Sequence, residues 1–187
     1  SMNFDAFEAV VWGWVQESSA MILEQFMEPN LAVDTKEDDT PVTIADRNAE
    51  LFLRKQINTN FSEHGILGEE FGPEKEESEW LWMIDPIDGT KSFISGVPLF
   101  GTIICLCKNR CPVFGAIHLP ALNQWIVGDG RKTLCNGRQV SCRFPSSISE
   151  VTLLTSDEND VRNYQNYDNW LHLSKKVKFS RTWGDCY

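Results

Sequence analysis

Apolar residues recur at spacings of three and four from Phe4 through Phe7, Val11, Trp14 and Val15 to Ile22 and Phe26, and Pro29 closes the run. The spacing predicts a long amphipathic helix. Asp34 to Pro41 is polar and charged, and Pro41 disfavours helix in the residue before it, so a loop or mobile hairpin is expected. A second helix is predicted from near Thr43, carrying Ala45, Ala49, Leu51, Phe52, Leu53 and Ile57 and fading at Asn58 to Asn60. The short apolar run Gly65 to Gly68 then delivers Glu69 and Glu70, followed by an acidic loop through Glu79. Trp80 to Ile84 is continuously apolar, with charge before it and Asp85-Pro86 after it, the pattern of a buried strand that ends at a carboxylate.

Further strands are expected at Phe100 to Cys107, Val113 to Leu119 and Gln124 to Val127, separated by Lys108-Asn109 and Pro120. Asn136-Gly137, between Leu134 and Val140, predicts a hairpin with a type I′ turn, in which both turn residues take positive φ. The pattern changes near Pro145, with a strand expected over Glu150 to Thr155 and a helix over Asn159 to Leu173. The division is an α+β lobe with a largely antiparallel sheet over 1–144, and the beginning of an α/β lobe over 145–187.

With 187 residues the chain is one domain, or one and part of a second. Its 27 acidic against 17 basic residues give a formal net charge of −10, a sign that repels nucleic-acid phosphates and anionic lipid. No run of 18 apolar residues and no basic start followed by an apolar core is present, so neither a spanning helix nor a secretory signal is expected, and the chain reads as soluble and cytoplasmic. Ser1 before Met2 reads as a scar of tag removal. The six cysteines contain no Cys-x-x-Cys pair and are expected to be reduced and mostly packed.

Carboxylates fall at element boundaries: Asp46 at a helix start, Glu69 and Glu70 after a short strand, Asp85 and Asp88 at the end of the buried strand. Gathering four or five of them without a cation is strongly unfavourable, because like charges in one cleft raise one another's pKa. A hard divalent ion such as Mg²⁺ relieves this, and no His/Cys set has zinc spacing. Pro86 stiffens the turn so that Asp85, the Ile87 carbonyl and Asp88 can converge on metal. If a short helix begins at Thr90, the amides of Gly89 and Thr90 offer a phosphate seat beside the metal, a combination suited to hydrolysing a phosphate ester with activated water. Any one Asp-x-x-Asp pair is more often a turn or a cap, and Glu69-Glu70 alone reads as a solvated face; together they weigh more. His64, His118 and His172 are scattered and take no role, and Lys36 reads as solvated, although Glu37, Asp38 and Asp39 beside it could help recruit an outer metal.

Val42-Thr43-Ile44-Ala45-Asp46, Gly68-Glu69-Glu70 and the run from Trp82 to Thr90 resemble, in order and spacing, the inositol-monophosphatase family of Mg²⁺-dependent, lithium-sensitive phosphatases. The resemblance implies a layered αβαβα fold, a homodimer, a small phosphate monoester as substrate and two or three Mg²⁺ ions. It implies Glu69, Asp85, the Ile87 carbonyl and Asp88 as metal ligands, with Asp46 serving an outer metal and Glu70 one layer behind. Thr90 with Glu69 would position and activate the attacking water, and the backbone from Asp88 through Gly89 to Thr90 would hold phosphate. Within the family, Gly89 to Ile94, Gly96 to Thr102 and Arg181 to Tyr187 look most like histidinol-phosphate phosphatases. Inositol enzymes usually have Thr-Asn where Lys91-Ser92 stand, and a small or hydroxyl residue where Asp185 stands. An acidic Asp185, on a substrate rim with Arg181 and Gly184, would suit the ammonium of histidinol phosphate; alternatively it caps a following helix. The family places a further metal-binding Asp, in a Trp-Asp motif, beyond Tyr187, so an incomplete second lobe and a catalytically incomplete, metal-binding fragment are also expected possibilities. A 3′-phosphoadenosine nucleotide phosphatase fits less well, because Pro98-Leu99-Phe100 differs from that group.

Overall fold

In a computed structural model, which describes residues 3–38, 41–183 and 186, the chain divides into two compact units, the first running to Val140 and including Cys186, the second starting at Ser141. Helix α1 (Phe4–Gln25) starts on Asn3, whose side chain accepts from the Ala6 amide, and buries Phe7, Val11, Trp14, Val15 and Ile22. The polar segment after it is a hairpin, β1 (Val33–Thr35) antiparallel to β2 (Pro41–Thr43). Helix α2 (Ile44–Asn60) follows at once. Thr43 caps it, and the Asp46 side chain reaches back to the Thr43 amide in a reciprocal capping box.

β3 (Gly65–Gly68), β4 (Gly72–Glu74) and β5 (Trp80–Asp88) lead to a single-turn helix α3 (Thr90–Ile94). β6 (Gly101–Lys108), β7 (Cys111–Leu119), β8 (Gln124–Gly128), β9 (Thr133–Cys135) and β10 (Arg138–Val140) complete an eight-stranded sheet in the order β10-β9-β8-β7-β6-β5-β3-β4. Every pairing is antiparallel except β3 with β5. That exception brings the C-terminal ends of β3 and β5 side by side, so Glu69 and Asp85 emerge at one edge of the sheet. Asn136 and Gly137 take φ of 49° and 77° in the β9–β10 turn, as a type I′ hairpin requires.

One core joins α1, α2 and the sheet: Val11, Trp14, Leu53 and Ile57 pack on Ile66, Trp82, Ile104, Leu106, Phe114 and Val127. A smaller cluster of Ile22, Ala45, Ala49, Ile87, Phe93 and Phe100 lies under the β5–α3 junction. Each large side chain withdrawn from water in this way contributes roughly 1.5–3 kcal/mol. Cys105 and Cys107 lie on β6 with their sulfurs 3.8 Å apart as reduced thiols.

The second unit pairs β11 (Thr152–Leu154) in parallel with β12 (Phe179–Arg181) across two helices, α4 (Glu158–Tyr164) and α5 (Tyr167–Ser174). The single helix expected over Asn159 to Leu173 is therefore two. Gln165 is extended, and the Asn166 side chain accepts from the Asn169 amide to begin the second helix, so a local side-chain bond wins over helix continuation. None of the described residues of this unit is fully buried. Among the described residues no helix is long and apolar enough to cross a membrane.

Candidate active site

Asp85 and Asp88 are three residues apart, a spacing that sends side chains to opposite faces of a regular strand. The pairing of β5 with β6 shows why they do not diverge here: Asp85 faces Ile103 and Asp88 faces Gly101, three residues against two, with the irregularity between them. The extra residue re-aims the strand so that both carboxylates lie opposite residues of one β6 face. Thr102 pins the distortion by donating from its hydroxyl to the Pro86 carbonyl at 2.8 Å. Gly89 then takes φ 82° and ψ 41°, a left-handed conformation open to glycine, and turns the chain directly into α3.

Glu69 enters from the end of β3, its amide donating to the Ile84 carbonyl of β5 at 3.2 Å. Lys36, at the end of β1, donates from Nζ to Glu69 at 2.9 Å and to Glu70 at 2.8 Å. The expectation of a solvated Lys36 is corrected: its side chain is only 21% exposed and bridges the two glutamates. Burial opposes its charge, but the bonds to Glu70 and Glu69 outweigh that and raise its pKa above the ordinary lysine value.

Asp46 is buried on α2. Its Oδ2 accepts from the Thr43 amide at 2.8 Å and the Thr43 hydroxyl at 2.6 Å, and its Oδ1 lies 3.1 Å from the Thr90 hydroxyl. The Thr90 hydroxyl is equally close to the Ile87 carbonyl. Both Asp46 oxygens are thus engaged in this conformation, Oδ2 with Thr43 and Oδ1 with the Thr90 hydroxyl. Burial raises the Asp46 pKa, partly offset by the bonds from Thr43 and Thr90.

The four carboxylates are electrostatically one cluster. Burial, a hydrogen bond with Glu69, and the charges of Glu69, Asp88 and Asp46 push Asp85 up to about 9. Burial also acts on Glu69, but the bonds from Asp85 and Lys36 outweigh it and leave its pKa lowered. Glu70 is raised by burial, partly offset by Lys36.

Among the described residues, no three Asp, Glu, His or Cys side chains converge as a ready cage for a metal ion. The Lys36 ammonium supplies positive charge beside Glu69 and Glu70. The donor set nonetheless fits a hard divalent cation: it is oxygen only, and Asp85 Oδ1 is buried with no hydrogen-bond partner among the described residues. Glu69, Asp85, Asp88 and the Ile87 carbonyl are the groups that would hold it.

Arg181 lies on β12 in the second unit, where its guanidinium bonds the Ser180 carbonyl and lies over the Phe179 ring. Gly184 and Asp185 lie outside the described residues, and Lys91 is exposed on α3. His64 and His118 pack among aromatic rings, His64 accepting from the Trp82 indole. Two polar residues escaped the sequence reading. Glu50 is buried and Arg54 partly buried at the Glu69–Glu70 turn, and the signal was available: Asp46 and Glu50 interrupt the stripe of Ala45, Ala49, Leu53 and Ile57 that faces the core.

Residues 5–186 match the family described as the Inositol monophosphatase family. The chain is 35% identical over 182 residues to the "Bifunctional phosphatase IMPL2, chloroplastic" of Arabidopsis thaliana, covering 96% of this chain and 52% of that protein. It is 35% identical over 173 residues to a histidinol-phosphatase of Chlorobaculum parvum, covering 92% of this chain and 67% of the relative. An inositol monophosphatase structure from Zymomonas mobilis superposes with a TM-score of 0.82 at 28% identity, over 96% of this chain and 69% of that one. The chain thus spans between about half and two thirds of these relatives' lengths. With the match running through the Glu69, Asp85–Thr90 and Asp46 segments alike, the chain belongs to the inositol monophosphatase family.

Proposed function

We propose that the protein is a Mg²⁺-dependent phosphomonoesterase acting on histidinol phosphate. The observation that carries the reading is the set of carboxylates gathered at the β5–α3 junction, Asp46 buried and bonded to Thr90, Asp85 with a buried oxygen that has no hydrogen-bond partner among the described residues, and Glu69 at the end of β3. When bound at Glu69, Asp85, Asp88 and the Ile87 carbonyl, a divalent ion supplies Lewis acidity toward the phosphoryl oxygens and acidifies water. Glu69, the carboxylate delivered at the end of β3, accepts the proton of the attacking water. Thr90 donates its hydroxyl proton to Asp46 or Ile87, leaving its oxygen to accept from that water and so orient it. The first-turn amides at Gly89 and Thr90 have no partner within the helix and seat the phosphate.

The substrate rests on relatives named histidinol-phosphatase in Chlorobaculum parvum and Mycobacterium tuberculosis, the latter 42% identical over 125 residues, and on Lys91-Ser92 and Asp185. Inositol 1-phosphate is the second reading, favoured by the likeness to the Zymomonas mobilis inositol monophosphatase. Phosphate release from the two substrates, measured side by side with Mg²⁺, separates them. A kcat/KM for histidinol phosphate at least tenfold higher is expected; the reverse preference assigns the polyol phosphate instead. Homodimerisation and a cytoplasmic location are further parts of the proposal, tested by sedimentation and by fractionation.

A further inference from the structure

We propose that Glu50, a carboxylate buried in α2, is a positioning residue that holds the Glu69–Glu70 turn in place beside Asp85. The inference rests on Glu69 working as a metal-binding carboxylate, and it concerns how that side chain is aimed. Glu50 is fully buried, a costly place for a charge unless every oxygen finds donors. Its donors are specific: the Glu70 amide at 2.6 Å, the Phe71 amide at 3.1 Å and the Arg54 Nε at 2.8 Å. Arg54, one turn further along α2, in turn donates to the Gly72 carbonyl. The pair thus grips the β3–β4 turn at both ends, by two amides at its start and a carbonyl at its close.

The fit is tight from the other side as well. A Cβ at Gly68 would fall on the Glu50 carboxylate, so the strand lies directly against it. Glu69 is then fixed between two anchors, its own amide on Ile84 of β5 and the next two amides on Glu50. One helical turn earlier, Asp46 on the same buried face of α2 orients Thr90. Residues i and i+4 of one helix therefore set the two halves of the site, Asp46 for Thr90 and Glu50 for Glu69. An apolar residue at position 50 would complete the core stripe but leave the two turn amides without their acceptor.

Glu50→Gln tests this, because an amide keeps the size but offers one acceptor oxygen in place of two. Mn²⁺ binding is titrated by electron paramagnetic resonance without substrate, alongside thermal melts and kinetics. Leu53→Ala, on the same α2 face, controls for lost stability. Expected is a cooperative melt for Glu50→Gln, Mn²⁺ affinity at least tenfold weaker, and a lowered kcat with little change in KM, while Leu53→Ala keeps wild-type Mn²⁺ affinity. Should Glu50→Gln fail to fold, Glu50→Asp carries the same test, its shortened carboxylate withdrawing from the amides. Wild-type Mn²⁺ affinity in a folded Glu50 variant, or equal weakening in Leu53→Ala, overturns the positioning role. Absence of Mn²⁺ binding by the wild type would instead overturn the reading of the site itself.

Discussion

Asp85 is the residue at which the metal-free site is least comfortable. Its pKa, pushed up to about 9 by burial, Glu69 and the neighbouring carboxylates, lies far above its ordinary 3.8. A carboxyl so raised binds a proton more tightly folded than unfolded, so its contribution to stability is present at low pH and is lost as pH rises between about 4 and 9. The metal-free protein is therefore expected to melt lower at pH 9 than at pH 6, and Mg²⁺ to flatten that slope; calorimetry across the pH range checks it. Asp85→Asn is expected to raise the metal-free Tm at pH 8 by several degrees, at about 2–4 °C per kcal/mol for a chain of this size. A fall in Tm would contradict the electrostatic strain assigned here. Lys36→Met removes the cation between Glu69 and Glu70, so a lower metal-free Tm and a larger rise on adding Mg²⁺ than in wild type are expected. At this scale the sequence was informative about carboxylates and poor about their partners. Asp46, Glu69, Asp85 and Asp88 announce themselves by standing at element ends, whereas Lys36 is one charge in a polar run and nothing local says that the hairpin folds it back onto Glu69.

Elements set the directions of these side chains. The β5–β6 irregularity brings Asp85 and Asp88 to one side, and the parallel β3–β5 pairing brings Glu69 to them. Neither was legible, since bulge and register depend on the partner strand, while the strands themselves were clear from continuous apolar runs. The Asn136-Gly137 turn was legible because both residues must take positive φ, a purely local demand. The break at Gln165 was missed because apolar spacing continues across it. At the β3–β4 turn, Gly68→Ala places a methyl against Glu50 and is expected to cost about 1–3 kcal/mol, the usual penalty of overpacking. Urea denaturation measures it as a lowered midpoint with an unchanged slope; an unchanged midpoint would mean that the turn yields freely and does not aim Glu69.

The molecule as a whole combines one well-packed unit, an α-layer over an eight-stranded sheet, with a second whose described residues are none of them fully buried. Its net charge of −10 disfavours polyanions, yet the proposed substrate is a small anion, which requires that cations be drawn in with it. The phosphomonoesterase reading therefore depends on exchange of the Lys36 ammonium, held by Glu69, for a divalent ion among the carboxylates. Phosphate release from histidinol phosphate as Mg²⁺ is titrated, wild type against Asp85→Asn, tests that exchange most directly. Turnover that rises from zero with Mg²⁺ in the wild type and falls at least a hundredfold in Asp85→Asn is the expected result. Release independent of Mg²⁺, or unimpaired by the loss of the Asp85 carboxylate, would contradict it.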